Sequence, residues 1–268
     1  MSYTDYNTFL MFGDSITEFA FNQFPDPLSD VPQFALGPAL QNIYARKLQV
    51  LHRGFSGYTS RDALPLIKSI LKEEFDKQPE SKKIKIAYVF FGTNDARHKG
   101  LSTDNNEHIA LDVYLKNMEL VVNEFTQRKI PLIIITTGYH DQNMWNKSHP
   151  QDLLTKDYRS NENNLLYQNE IIARFADRKI DNVFVLPLYS EMEKWAKSVN
   201  SEKILVHNDY SELLSDGIHL SGQGYKVLFN SLMDIINQNI KSMSPQFLSY
   251  KFPHHSVLDD NTFKHINN

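Results

Sequence analysis

The run Ile84 to Phe91 is apolar at nearly every position and ends abruptly in Gly92-Thr93-Asn94-Asp95. A strand that is apolar without alternation is buried on both faces, and such strands belong to parallel sheets covered by helices above and below. Phe9 to Phe12, Leu48 to His52, Leu132 to Thr136 and Val183 to Leu186 are shorter runs of the same kind. Between them lie segments with helical spacing: 38–47, 61–75, 109–125, 162–178, 189–199 and, last, 222–240. In 109–125, for instance, Leu111, Tyr114, Leu115, Met118, Val121, Val122 and Phe125 form one stripe, which reads as a core-facing side. Strands alternating with helices predict an α/β fold: a three-layer αβα sandwich around a mainly parallel five-stranded sheet, flavodoxin-like in plan.

At 268 residues the chain has length enough for a sizeable core, and the unbroken alternation favours one domain over 1–268, with a polar, extended tail from about residue 241. A formal net charge of -4 lacks the basic footprint of a nucleic-acid binder. With no cysteine there is neither a disulfide framework nor a thiolate metal site, which fits a reducing compartment. Residues 1–6 lack a leader pattern, and no apolar run reaches the roughly 18 residues that cross a bilayer. A cytoplasmic protein is therefore expected. Self-association is left open, and a homodimer is compatible with everything above.

In an open α/β sheet, ligands bind beyond the carboxyl ends of the strands. Ser15 falls there, directly after Gly13-Asp14, and is either a nucleophile or an ordinary residue at a helix start. A serine hydroxyl needs an imidazole to take its proton and a carboxylate to hold that imidazole. Asp216-Gly217-Ile218-His219, just before the last helix, offers both on one loop, although a loop Asp capping its own backbone would read the same way. Acyl transfer further requires donors aimed at a developing oxyanion. Gly57, after the second strand, and Asn94, after the third, can supply them, or can be plain turn residues.

Four weak signals in a fixed order carry more than any one of them. Gly13-Asp14-Ser15-Ile16-Thr17, Gly57, Gly92-Thr93-Asn94-Asp95 and Asp216-Gly217-Ile218-His219 together resemble the four blocks of the SGNH, or GDSL-type, hydrolases. Phe12 to Asn22, Arg53 to Arg61, the residues around Asp216 to Lys226, and Val257-Leu258-Asp259-Asp260 are similar to the isoamyl acetate-hydrolysing esterases of yeasts. That resemblance implies Ser15 as nucleophile, His219 as base, Asp216 as its orienter, and an oxyanion hole made of the Ser15 and Gly57 N–H groups with the Asn94 amide. It also implies a small ester substrate with water as partner, and neither cofactor nor metal.

Phe19, Phe21 and Phe55 lie beside these blocks and are expected to wall a pocket sized for a small acyl group. Residues 138–161 read as a long polar loop covering the site, and His98, His108, His140, His149, His254 and His255 as surface or tail residues without ligand spacing. Thioesterases, lysophospholipases and sugar O-acetylesterases would show the same blocks. A non-catalytic flavodoxin-like module would instead want Ser, Thr or Gly donors where Ile16-Thr17-Glu18-Phe19 stands.

Overall fold

The computed structural model describes residues 5–25, 29–103, 106–203, 210–252 and 254–258. Among them a five-stranded, all-parallel sheet runs in the order β2-β1-β3-β4-β5, with β1 Thr8–Gly13, β2 Gln49–Gly54, β3 Ile84–Phe90, β4 Leu132–Ile135 and β5 Val183–Leu186. The central strands β1, β3 and β4 are buried almost throughout, as unalternating apolar runs require.

Residue parity along β1 and β3 assigns the two faces. Phe9, Met11, Ile86, Tyr88 and Phe90 face a layer that includes α2 (Leu36–Ile43), α8 (Leu188–Lys203) and α9 (Gly222–Asn239). Leu10, Phe12, Ala87 and Val89 face α3 (Ser60–Leu71), α4 (Leu111–Thr126) and α7 (Asn161–Ile171). The sandwich is thus the expected one. Helix ends differ by a few residues, and α3 and α7 each run on into a π-helical turn, Lys72–Asp76 and Ile172–Ala176.

Two expectations are corrected. Residues 138–161 are not a plain loop, for they hold the short helices α5 (Gln142–Ser148) and α6 (Gln151–Thr155). Asp141 caps the first by accepting from the Met144 N–H at 2.9 Å, and Lys156 in the left-handed conformation ends the second. His140 is not a surface residue: it is 2 % exposed and its Nδ1 donates to the Gly217 carbonyl at 2.8 Å. The segment beyond α9 folds back over the end of α2, where the Tyr44 hydroxyl donates to Met243 O and the Arg46 guanidinium to Phe252 O, both at 2.8 Å. Asp259 and Asp260 lie outside the described residues.

β1 delivers its carboxyl end to a one-turn helix, α1 (Ser15–Glu18), at the open edge of the sandwich. The contact is close. A Cβ on Gly13 would meet the Phe90 carbonyl at 2.6 Å, and one on Gly54 would meet the Glu18 nitrogen at 2.1 Å. Only glycine lets β1 and β2 end this tightly against the helix that carries Ser15.

Candidate active site

Asp14 turns the chain out of β1. Its Oδ1 accepts the Ile16 N–H at 3.0 Å and so starts α1 with Ser15 as its first residue. Burial raises the Asp14 carboxyl to about 7. Ser15 is buried but lines a cavity of about 320 Å³ together with Phe19, Gly57, Asn94, Trp145 and His219.

His219 reaches Ser15 from the far end of the chain. Between the bridged residues Leu214 and Leu220 the backbone closes a tight loop, with Ser215 N–H donating to His219 O at 2.8 Å. Inside that loop, Asp216 Oδ1 accepts the Ile218 and His219 N–H groups, each at 2.9 Å, while its Oδ2 lies 2.6 Å from His219 Nδ1. Burial raises the Asp216 carboxyl, but the hydrogen bond and charge of His219 and the two N–H donors outweigh it and hold it near about 2. The carboxylate thus fixes the proton on Nδ1, which leaves Nε2 as the acceptor 2.9 Å from Ser15 Oγ.

Gly217 makes the loop possible. Its φ of +103° suits glycine, and a Cβ there would meet Asp141 O at 2.5 Å. Its carbonyl accepts from both the Asp141 N–H and His140 Nδ1, so the 138–161 segment anchors the histidine loop. Burial lowers His140 to about 4, against the pull of its Gly217 bond, and keeps it a neutral donor at Nδ1.

The expected donors gather at the same cavity. Gly57, at φ +77°, lines it in a loop held by the Ser56 N–H bond to Glu18 Oε2 at 2.6 Å. Asn94 follows β3, buried, with its Nδ2 donating to Tyr58 O at 2.9 Å and its Oδ1 accepting from Arg159 at 3.0 Å. The three phenylalanines part company. Phe19 lines the cavity, edge-on to the His219 ring with centroids 4.9 Å apart. Phe21 instead packs near His52 beside a separate cavity, and Phe55 leans on Phe12 and stacks on Tyr58.

Sequence reasoning missed the far wall. Arg97 bonds Glu107 at 2.9 Å and Asp152 at 2.7 Å, Arg159 bonds Glu107 at 2.7 Å, and the Trp145 indole donates to Asp152 at 2.9 Å. These residues sit in polar stretches with no periodicity, so nothing local marks them. Among the described residues, no group of three or more His, Cys, Asp or Glu has the spacing of a metal site.

A hydroxyl, imidazole and carboxylate in hydrogen-bonded series can activate a serine for attack on an acyl group. The model of the GDSL-like lipase/acylhydrolase family matches residues 11–227, which span every element of this site. The chain belongs to that family. An isoamyl acetate-hydrolyzing esterase of Saccharomyces cerevisiae is 34% identical over 96% of this chain and 97% of its own length. A human isoamyl acetate-hydrolyzing esterase 1 homolog is 29% identical over 90% and 85%. Among solved structures, a GDSL-like lipase of Bacteroides thetaiotaomicron matches with a TM-score of 0.57 at 15% identity, covering 89% of this chain and 91% of that one. An acetylxylan esterase of Geobacillus stearothermophilus matches with a TM-score of 0.53 at 18% identity, over 86% and 94%. These two are similar in fold. The GDSL-like protein described here is a carboxylic ester hydrolase, and no helix among its described residues is long and apolar enough to cross a membrane.

Proposed function

We propose that this esterase hydrolyses acetate and other short acyl esters of small alcohols, isoamyl acetate among them, through a Ser15 nucleophile. The observation that carries the reading is the unbroken series Ser15 Oγ, His219 Nε2, His219 Nδ1 and Asp216 Oδ2, with contacts of 2.9 and 2.6 Å. Oγ adds to the ester carbonyl carbon as His219 Nε2 takes the hydroxyl proton. The carbonyl oxygen becomes an oxyanion held by the Ser15 N–H, the Gly57 N–H and the Asn94 amide. Collapse breaks the bond to the alcohol oxygen, which receives the proton from His219. Water then attacks the acyl-serine, again giving His219 its proton, and the carboxylic acid leaves with Ser15 restored.

The short-chain preference rests on Phe19, whose ring stands against His219 at the reacting end of the cavity, and on the yeast relative's printed activity. One hydrolase unit with the segment after residue 241 as an appendage is the organisation that goes with this reading. A cysteine-free chain suits the reducing cytoplasm, the location assigned here, which cell fractionation tests. The decisive functional test is kcat/KM over a graded series from acetate to decanoate esters and an acyl thioester. The reading requires acetates to lead; faster turnover of decanoates or thioesters replaces it with a lipase or thioesterase.

A further inference from the structure

Arg159 is 4 % exposed, and a guanidinium so deeply buried is costly unless it is well paired. Among the described residues its only charged partner within bonding distance is Glu107, and Arg97 bonds the same carboxylate oxygen, so the pairing is shared. Burial pulls its pKa down and Glu107 opposes that, yet arginine stays charged in proteins. An apolar side chain of similar volume would satisfy packing at lower cost. What the cation does instead is touch Asn94.

The Asn94 amide could in principle face either way, since its oxygen and nitrogen are nearly isosteric. Its two partners remove the choice. Arg159 can only donate, so the atom 3.0 Å from its NH2 must be Oδ1; the Tyr58 carbonyl can only accept, so the atom 2.9 Å from it must be Nδ2. With one Nδ2 hydrogen given to Tyr58, the other remains for the cavity that Asn94 shares with Ser15 and Gly57.

Behind Arg159 lies a second, enclosed cavity that offers about 10 Å³ to a water-sized molecule, about what a single water needs. Thr93, His140, Arg159 and Asn164 line it, each at least nine-tenths buried, and Thr93 Oγ1, His140 Nε2, Arg159 Nε and Asn164 Oδ1 have no hydrogen-bond partner among the described residues. Their chemistry is complementary. His140 gives its Nδ1 proton to Gly217 O and Asn164 its Nδ2 to Gly138 O, so His140 Nε2 and Asn164 Oδ1 are acceptors, while Arg159 Nε is a donor and the Thr93 hydroxyl is free to donate. Two donors and two acceptors around one small space describe the four bonds of a water molecule.

We propose that Arg159 is the positioning residue of the oxyanion hole, locking the Asn94 amide by its oxygen, and that a water bound among Thr93, His140, Arg159 and Asn164 holds the guanidinium in place. Thr93 and His140 extend the effect, because Thr93 precedes Asn94 and His140 grips the carbonyl of Gly217 in the histidine loop. This rests on Asn94 being an oxyanion donor, and the test separates the two ideas.

The test is a double-mutant cycle on kcat and KM for isoamyl acetate, with Asn94→Ala, Arg159→Met and the pair, and with Arg159→Lys as the milder variant. Asn94→Ala alone should lower kcat by roughly 10²- to 10³-fold. Arg159→Met should lower kcat by about 10- to 100-fold with KM little changed, Arg159→Lys should recover part of that, and neither should lower activity further in the Asn94→Ala background. Losses that multiply would overturn the positioning role while leaving Asn94 as a donor; an Asn94→Ala enzyme with normal kcat would overturn the oxyanion assignment itself. If Arg159→Met does not fold, the same cycle with Arg159→Lys decides. A high-resolution crystal structure of the unmodified protein tests the water: density within bonding distance of all four atoms is expected, and direct pairing of those atoms with one another would overturn it.

Discussion

His219 Nε2 lies 2.9 Å from Ser15 Oγ across 204 residues of chain, and the bond joins the first strand's end to the loop before the last helix. Neither residue is held by the other alone. Ser15 is fixed by the Asp14 cap, and His219 by two bonds to Asp216 and by the anchoring of Gly217 on the 138–161 segment. The geometry is therefore built before substrate arrives, which is what makes the consequences below sharp.

Asp216→Asn should lower kcat on the order of 10⁴-fold with the fold retained. The asparagine oxygen can keep the Ile218 and His219 N–H bonds, which turns its NH2 toward Nδ1 and drives the imidazole proton to Nε2, where it cannot accept from Ser15. Because the Asp216 carboxyl is held at about 2, it stays ionised across the working range and adds nothing to the pH dependence there. Steady-state kinetics from pH 5 to 8 should show one rising limb in the unmodified enzyme, and a flat profile would contradict a histidine base.

Phe19→Ala should widen acyl preference. Phe19 and His219 both line the main cavity and a neighbouring one of about 210 Å³ on the Asp216 side, so losing the ring opens one into the other. Each methylene is worth about 1 to 3 kcal/mol in an apolar pocket, so the hexanoate-to-acetate ratio of kcat/KM should rise at least about tenfold. An unchanged ratio would show that the acyl group does not meet this ring.

How much of this was legible in the sequence depends on whether the signal was local. β1 and β3 were readable because an apolar run ending at glycine is a strand in nearly any context; Ser15 and Asn94 sit at a short offset from such an end, whereas His219 is marked only by the Asp-Gly-Ile-His loop ahead of the last helix. His140 was misread as a surface residue because nothing adjacent to it in sequence announces the Gly217 carbonyl, 77 residues away, that takes its proton. Phe21 and Phe55 were misassigned for a related reason: proximity in sequence says nothing of which way a ring points. Arg159 and Trp145 carry no pattern at all, and only the fold brings them to Asn94 and Asp152.

Stability should fall as pH rises from about 4 to 7. Burial raises the Asp14 and Asp95 carboxyls to about 7 in the folded protein, against an ordinary value of 3.8. Stability from such a raised group is fully present below the unfolded value and is lost as pH climbs through the folded one. His140, lowered by burial to about 4, and His98, also lowered by burial, work the other way below their ordinary 6.5, but the shifts of the two carboxyls are the larger. Asp95→Asn keeps an acceptor for the Ser60 N–H and should flatten the slope. Urea midpoints at pH 5 and 7.5 measure it, and a slope unchanged by the substitution would contradict the assignment.

Dialysis against a strong chelator should leave turnover unchanged, because the proposed nucleophile is a side chain activated by a neutral imidazole. Lost activity that zinc or manganese restores would contradict this.

The most direct test of the account is the hydrolysis of isoamyl acetate by Ser15→Ala, with circular dichroism and the thermal midpoint recorded on the same sample. The account predicts a folded protein whose kcat/KM is lower by at least about 10⁴-fold, since without Oγ nothing forms the acyl-enzyme bond. A folded Ser15→Ala protein that still turns over isoamyl acetate near the unmodified rate would contradict it.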